Sequence, residues 1–278
     1  MPVVLTALYV PGDRPDRFAK AARSGADVVV VDLEDAVDPG HKAAARANLL
    51  AWLPDAAPGT VDVRVNAVDS PWGRDDLTGL PDAPALRAVR IPKVSSEDDV
   101  AAAAALLPVD RLSLHCLIET ALGVENAFGI ATAPRVGALA LGEADLSSEL
   151  GTSGEDALAW VRSRIVVATR AAGLEPPMMS VYPDLRDLAG LAESCRRGAR
   201  AGFLGRMAVH PLQLPVIEEA FRPDDAAVAA ASEVLAALDR GVANGNGVVV
   251  TPDGRMVDRA MAGRALRTLA VAARPTVH

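Results

Sequence analysis

The chain has 278 residues, half of them hydrophobic but few aromatic, which allows two modest domains or one large α/β barrel of roughly 250 residues with a core of Ala, Val, Leu and Ile. A formal charge of −8, from 36 acids against 28 bases with no block of like charge, argues against a nucleic-acid backbone as the main partner. Only Cys116 and Cys195 occur, in no CxxC pair, and no stretch of about 20 apolar residues is free of charge, so the expectation is a cytoplasmic protein without disulfides, zinc ribbon, secretory signal or membrane span.

Along the chain, apolar β-rich runs alternate with Ala-rich segments of helical period. The first predicted strand, "VVLTALYV" (3–10), leads into "PGDRPDRFAKAARSG", a helix closing on Gly25. The second, "DVVVVDL" (27–33), reads as fully buried yet ends in Asp32, Glu34 and Asp35. "VDVRVN" (61–66) carries Arg64 and Asn66, and "LRAVRIPK" (86–93) ends in Lys93. "RLSLHCLIE" (111–119) ends in Glu119, and "VGALALG" (136–142) runs into "GEADLSSELG" with Glu143 and Asp145. "MMSVY" (178–182) and "GFLGRMAVH" (202–210) complete a set of eight, with Gly173 and Gly202 closing the helices before them. Eight strand–helix units predict a TIM (β/α)8 barrel over residues 1–222. Two further helices, a Gly/Asn break at "GVANGNG", a short "VVV" strand, a turn at "TPDGR" and a last helix from about Asp258 to Ala273 predict a C-terminal extension and lid over 223–278.

Barrel geometry explains the acids after the second strand. The C-terminal ends of barrel strands open onto the face where catalytic groups collect, and seven of the eight predicted strands deliver a polar side chain there. Glu119 and Asp145, on neighbouring strands, suit a hard cation such as Mg²⁺, which takes one or two carboxylates plus water and substrate oxygens; an ion pair or helix N-cap accounts for either acid alone. Arg64 suits bidentate grip of a carboxylate, with Asp32 or Glu34 as the alternative structural partner. His115 reads as a core histidine, and its alternation with Cys116 places the two on opposite faces. No HExxH, GxSxG, GxxxxGK[ST] or strand-linked GxGxxG occurs, which removes the usual signatures of zinc hydrolases, α/β-hydrolases, P-loop proteins and Rossmann folds.

Taken in order, "LYVPGDRPDRFAKA", "DVVVVDLEDAVDPGHKAAAR", "VRVNAVDSPWGRDDL", "IPKV", "LIETALGVENA", "LALGEADLSSELG", "GFLGRMAVHPLQLPVI" and "DGRMVDRA" resemble the citrate lyase beta subunit-like family of the HpcH/HpaI aldolase superfamily, which includes malyl-CoA and citramalyl-CoA lyases. The resemblance spans nearly the whole chain. It implies a trimeric or hexameric barrel binding Mg²⁺ through Glu119 and Asp145, with Arg64 and Glu34 in catalysis and Asp258 offered by a C-terminal lid to a neighbouring subunit. Asn66, Lys93, Asp32 and Arg14 would line the substrate site, with Arg14 and Arg17 as candidate phosphate contacts, although Arg17 reads more readily as part of a solvated helix face. Two departures stand out: "GEAD" replaces the family's Gly-Ala-Glu-Asp order, leaving Asp145 in register but displacing Glu143, and "GRM" replaces "GK".

The implied reaction is cleavage or formation of a 3-hydroxy-dicarboxylyl-CoA thioester of the malyl-CoA, methylmalyl-CoA or citramalyl-CoA type, giving acetyl-CoA or propionyl-CoA and a 2-oxo acid. Three alternatives remain open: a citrate lyase beta subunit acting on a citryl thioester in a complex, an aldolase of free 4-hydroxy-2-oxo acids, and an inactive homologue that binds or regulates.

Overall fold

Seven parallel strands make the main sheet of the computed structural model: β1 (Thr6–Pro11), β2 (Val28–Asp32), β3 (Val61–Arg64), β4 (Leu86–Ile91), β5 (Ser113–Ile118), β6 (Val136–Leu141) and β7 (Arg206–Ala208). Their spatial order is β6-β5-β4-β3-β2-β1-β7. The structure describes residues 3–243, 248–250 and 256–275. All five residues of β2 are buried, as expected of a parallel strand covered on both faces, where a continuous run of valines replaces alternation. Ala7, Val28, Val30 and Met207 form an inner apolar cluster against which Tyr9, Met178 and Val181 pack.

The seventh predicted strand behaves differently. "MMSVY" makes only two isolated parallel bridges, Met178 to Ala140 of β6 and Met179 to Arg206 of β7, so one dipeptide touches both edges of the sheet and the sheet must curl to reach it. Pro176 and Pro177 precede this dipeptide and Pro183 follows, and proline offers no ladder N–H, which keeps the segment from extending into a strand. The last predicted strand of the barrel also shrinks, from 202–210 to the three residues of β7.

The helices between strands follow the predicted order, and one shows how local chemistry sets a boundary. Ser96 accepts from the Asp99 amide while the Asp99 carboxylate accepts from Ser96, a reciprocal capping box that starts the helix Glu97–Leu106. Gly25, Gly173 and Gly202 all take positive φ (86°, 75° and 101°), the conformation that made glycine the expected stop.

By internal contacts Val4–Ala220 forms one unit, and Val3 with the chain from Phe221 forms a second. In the second, the helices Asp225–Ala243 and Ala262–Ala272 pack together, and β8 (Val248–Val250) pairs antiparallel with β9 (Met256–Asp258). Asp258 therefore ends a strand, opposite Val248, and does not open the last helix as predicted; the 3-10 turn Arg259–Met261 separates it from that helix. The "TPDGR" turn and the "NGNG" part of the Gly/Asn break lie outside the described residues. Among the described residues no helix is long and apolar enough to cross a membrane.

Candidate active site

Because the main strands are parallel, their C-terminal ends share one rim, and register places the polar side chains. Asp32 and Arg64 are directly paired between β2 and β3. Arg64 Nε and Nη2 donate to Asp32 Oδ1 and Oδ2 at 2.8 and 2.6 Å, a fork of two charge-assisted bonds. Nη1 reaches Asp35 Oδ2 at 3.0 Å, and its guanidinium sits 5.1 Å from the centre of the Tyr9 ring. Burial alone would lower the Arg64 pKa, but the Asp32 bonds and charge, with Tyr9 and Glu34, raise it above its ordinary value. The structural-partner reading of Arg64 holds: Asp32 and Glu34 both contact it, and the acids orient the side chain at the rim.

The Asp32–Asp35 turn is itself built from backbone bonds. Asp32 Oδ1 and Oδ2 accept from the Glu34 and Ala36 amides, and the buried Lys42 donates to the carbonyls of Leu33 and Glu34 at 2.9 and 2.7 Å. Asn66 is buried, with its amide hydrogens given to Leu33 O and Asp76 Oδ2, so it fastens the β2 and β3 loops together. Lys42 and Asp76 are site-building residues that sequence reading missed. The signal was a lysine and an aspartate whose flanking pattern buries them, which one sequence does not distinguish from solvated helix positions.

Glu34 Oε2 lies 2.9 Å from Arg64 Nη1 without hydrogen-bond alignment, and it is buried with no hydrogen-bond partner. Burial pushes its carboxyl up to about 8, with Asp35, Glu119 and Asp32 adding and Arg64 opposing. Lys93 Nζ stands 3.8 Å from Glu34 Oε1. Lys93 has φ of 56°, uncommon for a residue with a side chain, and in that turn its backbone N–H points at Glu119 Oε2, 3.2 Å away.

Glu119 is buried where β5 ends, and Asp145 is exposed in the first turn of the helix Glu143–Leu150 that follows β6. Burial, then the Asp145 charge, raises the Glu119 carboxyl to about 7, with Arg64 opposing. A Cβ at Gly142 would overlap Glu119 Cγ and Oε1, so the glycine makes the space the carboxylate occupies. Glu119, Asp145 and Glu34 make an oxygen-rich site in which Arg64 and Lys93 are the cations beside Glu34, and the Glu119–Asp145 donor pair fits a hard divalent cation completed by water and substrate. Among the described residues no group of three or more His, Cys, Asp or Glu is arranged to hold a metal.

Beside this rim lies a cavity of about 590 Å³ whose lining includes Tyr9, Arg14, Arg17, Lys20 and His210. Tyr9 lines the cavity and also carries the Arg64 guanidinium against its ring. Arg14 is forked to Asp16 at 3.0 and 3.1 Å.

Below the rim, Asp62 is fully buried and accepts from Arg87 and Arg90. Burial would raise its pKa, but the two arginines and His115 hold it below its ordinary value. His115 Nδ1 is 3.6 Å from Asp62 without bonding it, and burial outweighs that carboxylate to push the imidazole down to about 3.

The match to known proteins follows this geometry. Residues 5–211 match the model of the family described as HpcH/HpaI aldolase/citrate lyase. The chain belongs to that family. Within the HpcH/HpaI relatives, a protein of Cereibacter sphaeroides named (3S)-malyl-CoA thioesterase is 38% identical over 96% of this chain and 94% of its own. A Rhodobacter capsulatus protein named L-malyl-CoA/beta-methylmalyl-CoA lyase is 36% identical over 90% and 89%. The crystal structure of the protein CitE from Mycobacterium tuberculosis with magnesium, acetoacetate and coenzyme A superposes with a TM-score of 0.81 at 34% identity, covering 98% and 99% of the two chains.

Proposed function

We propose that this HpcH/HpaI family member is a Mg²⁺-dependent carbon–carbon lyase that cleaves or forms a malyl-CoA, methylmalyl-CoA or citramalyl-CoA type thioester. The observation that carries the reading is the gathering of Glu119, the nearby Asp145 charge and the oriented Arg64 at one rim, with Tyr9 linking Arg64 to a cavity lined by Arg14, Arg17 and Lys20. The fold is read as an eight-stranded barrel, with Met178–Met179 in the place of the missing strand.

Glu119 and Asp145 would hold the Mg²⁺, which when bound polarises the oxygen at the reacting carbon and offsets the charge of the substrate carboxylate. Arg64 grips that carboxylate. Asp35, more than half exposed, is the partner a substrate carboxylate displaces at Nη1, while Asp32 keeps the fork aligned. Glu34 Oε2 receives the hydroxyl proton as the carbon–carbon bond breaks. The 2-oxo acid is then released and the electron pair passes into the acyl-CoA enolate, whose carbon takes a proton from Asp258. Lys93 and Asn66 act through the loops that place Glu119 and Arg64, and Arg14, Arg17 and Lys20 attract the phosphates of coenzyme A. Asp258 belongs to the second unit, and we assign it to a neighbouring subunit's site in a trimer or hexamer. Two buried free cysteines suit a reducing cytoplasm.

The Cereibacter relative favours a second reading, hydrolysis of the thioester to malate and free coenzyme A. Product analysis separates the two. Malyl-CoA, citramalyl-CoA and citryl-CoA are offered with Mg²⁺ and then with EDTA; EDTA-sensitive formation of a 2-oxo acid and an acyl-CoA is the expected result. Free coenzyme A with intact malate would replace the lyase by the thioesterase, and no turnover of any thioester would leave the free-acid aldolase or partner-dependent subunit.

A further inference from the structure

The helix Glu143–Leu150 has an unusual mounting. Of its eight residues only Leu146 is buried, and Gly142 at its N-cap offers no side-chain cap. One apolar anchor does not fix a helix's rotation about its axis, so polar ties must. Two are present. Glu143 is forked to Arg162, with Nε to Oε1 at 2.9 Å and Nη2 to Oε2 at 2.6 Å, both side chains more than four-fifths buried. At the other end, both Glu149 carboxylate oxygens lie 3.2 Å from the amide of Ala121, two residues after Glu119.

Arg162 is on the helix Ala159–Ala171, which packs against β6 and so is tied to the sheet independently of the short helix. Asp145 lies two residues beyond Glu143, in the same first turn. A bidentate arginine–carboxylate pair constrains distance and orientation together, unlike a single charge contact. We propose that the Glu143–Arg162 pair is a positioning clamp that sets the rotation of this helix and thereby the approach of Asp145 to Glu119. This rests on the assignment of those two acids as the Mg²⁺ ligands. It also gives Glu143 a role in this chain's Gly-Glu-Ala-Asp order, where the glutamate stands at the first position of the helix.

Mn²⁺ binding to the purified full chain, followed by the electron paramagnetic resonance of free Mn²⁺, tests the clamp without turnover. Arg162→Met is decisive because the two possible effects have opposite signs. If Arg162 merely adds positive charge near the site, its removal leaves Glu143 without a counter-charge and tightens Mn²⁺; if it positions Asp145, its removal weakens Mn²⁺. We expect weakening of about 10–100-fold, the range for residues that orient metal ligands. Tm of the metal-free protein should fall, because removing one partner of a largely buried ion pair leaves the other charge uncompensated, so Mn²⁺ is measured well below each variant's Tm. Glu143→Gln should weaken binding similarly, and the double variant should be no worse than either single one, as expected of one device. Should Arg162→Met fail to fold, Arg162→Lys keeps the charge but not the fork, and weakened binding is again expected.

Unchanged or tighter Mn²⁺ in the Arg162 variants, with binding still lost in Glu119→Gln and Asp145→Asn, overturns the clamp alone. Mn²⁺ binding that is absent in the parent, or indifferent to Glu119→Gln and Asp145→Asn, overturns the metal assignment and the clamp with it.

Discussion

At the scale of the residue, Arg64 gathers the ionic contacts of the rim. Its guanidinium is held by Asp32 on one edge and by Asp35 and Glu34 at Nη1, with Tyr9 against its face. A lysine keeps the charge but cannot make the fork or stack in the same way. Arg64→Lys should lose at least one charge-assisted hydrogen bond to substrate, about 1.5–3 kcal/mol, and lower kcat/KM by roughly 10–150-fold. Steady-state kinetics on the thioester checks this, and a near-normal kcat/KM would remove Arg64 from the substrate site. The polarity of Arg64 at a strand end was legible in "VRVN". Asp32 and Glu34 were legible as its candidate partners, but that Asp32 makes the fork required the register of β2 against β3.

At the scale of the element, the junction of β6 with the helix after it depends on absent atoms. Gly142 has negative φ (−96°), so alanine is conformationally acceptable there and the substitution tests space alone. In Gly142→Ala the new methyl displaces Glu119 from its position. Circular dichroism should stay that of the parent, while Mg²⁺-dependent turnover falls by about 10-fold or more, comparable to disturbing a ligand's supports. Turnover at the parental level would show that Glu119 is not a ligand or relocates freely. The capping box of Ser96 and Asp99 is a second local feature: losing the Ser96 hydroxyl in Ser96→Ala should lower stability by about 1 kcal/mol, read as a lower Tm, with kinetics untouched.

At the scale of the whole molecule, the buried charges within the curled sheet tie stability to pH. The folded His115 pKa of about 3 lies below its unfolded value of 6.5. Between those values the unfolded chain binds a proton that the folded protein refuses, so His115 subtracts stability progressively as pH falls below 6.5. Asp62, held below its ordinary value, acts in the same sense: its contribution is present above the unfolded carboxyl pKa and is lost as pH falls. His115→Gln should therefore flatten the fall of Tm between pH 7 and 4 relative to the parent; parallel curves would mean that His115 titrates alike in both states. Asp258 tests the assembly. Asp258→Ala and Arg64→Lys should each be impaired, and mixed oligomers should regain part of the activity if the acid acts on a neighbour's site. Mixtures no better than their components would confine each site to one chain.

The alternation of valine-rich runs with alanine-rich helices was enough to anticipate a parallel α/β fold, since backbone period and burial are written locally in residue type. The positions of Glu119, Arg64 and Lys93 at strand ends, and of Asp145 just after β6, followed from the same pattern. "MMSVY" misled because a bridge to two strands at once depends on where the sheet's edges meet, and that is set by the summed curl of seven strands rather than by five residues. Asp62 with Arg87 and Arg90, the Lys42 tether, the space left at Gly142 and the Glu143–Arg162 fork were likewise invisible in the linear chain. Each joins residues from 8 to 28 positions apart or depends on an atom that is missing, and only tertiary packing decides which charges share a buried volume.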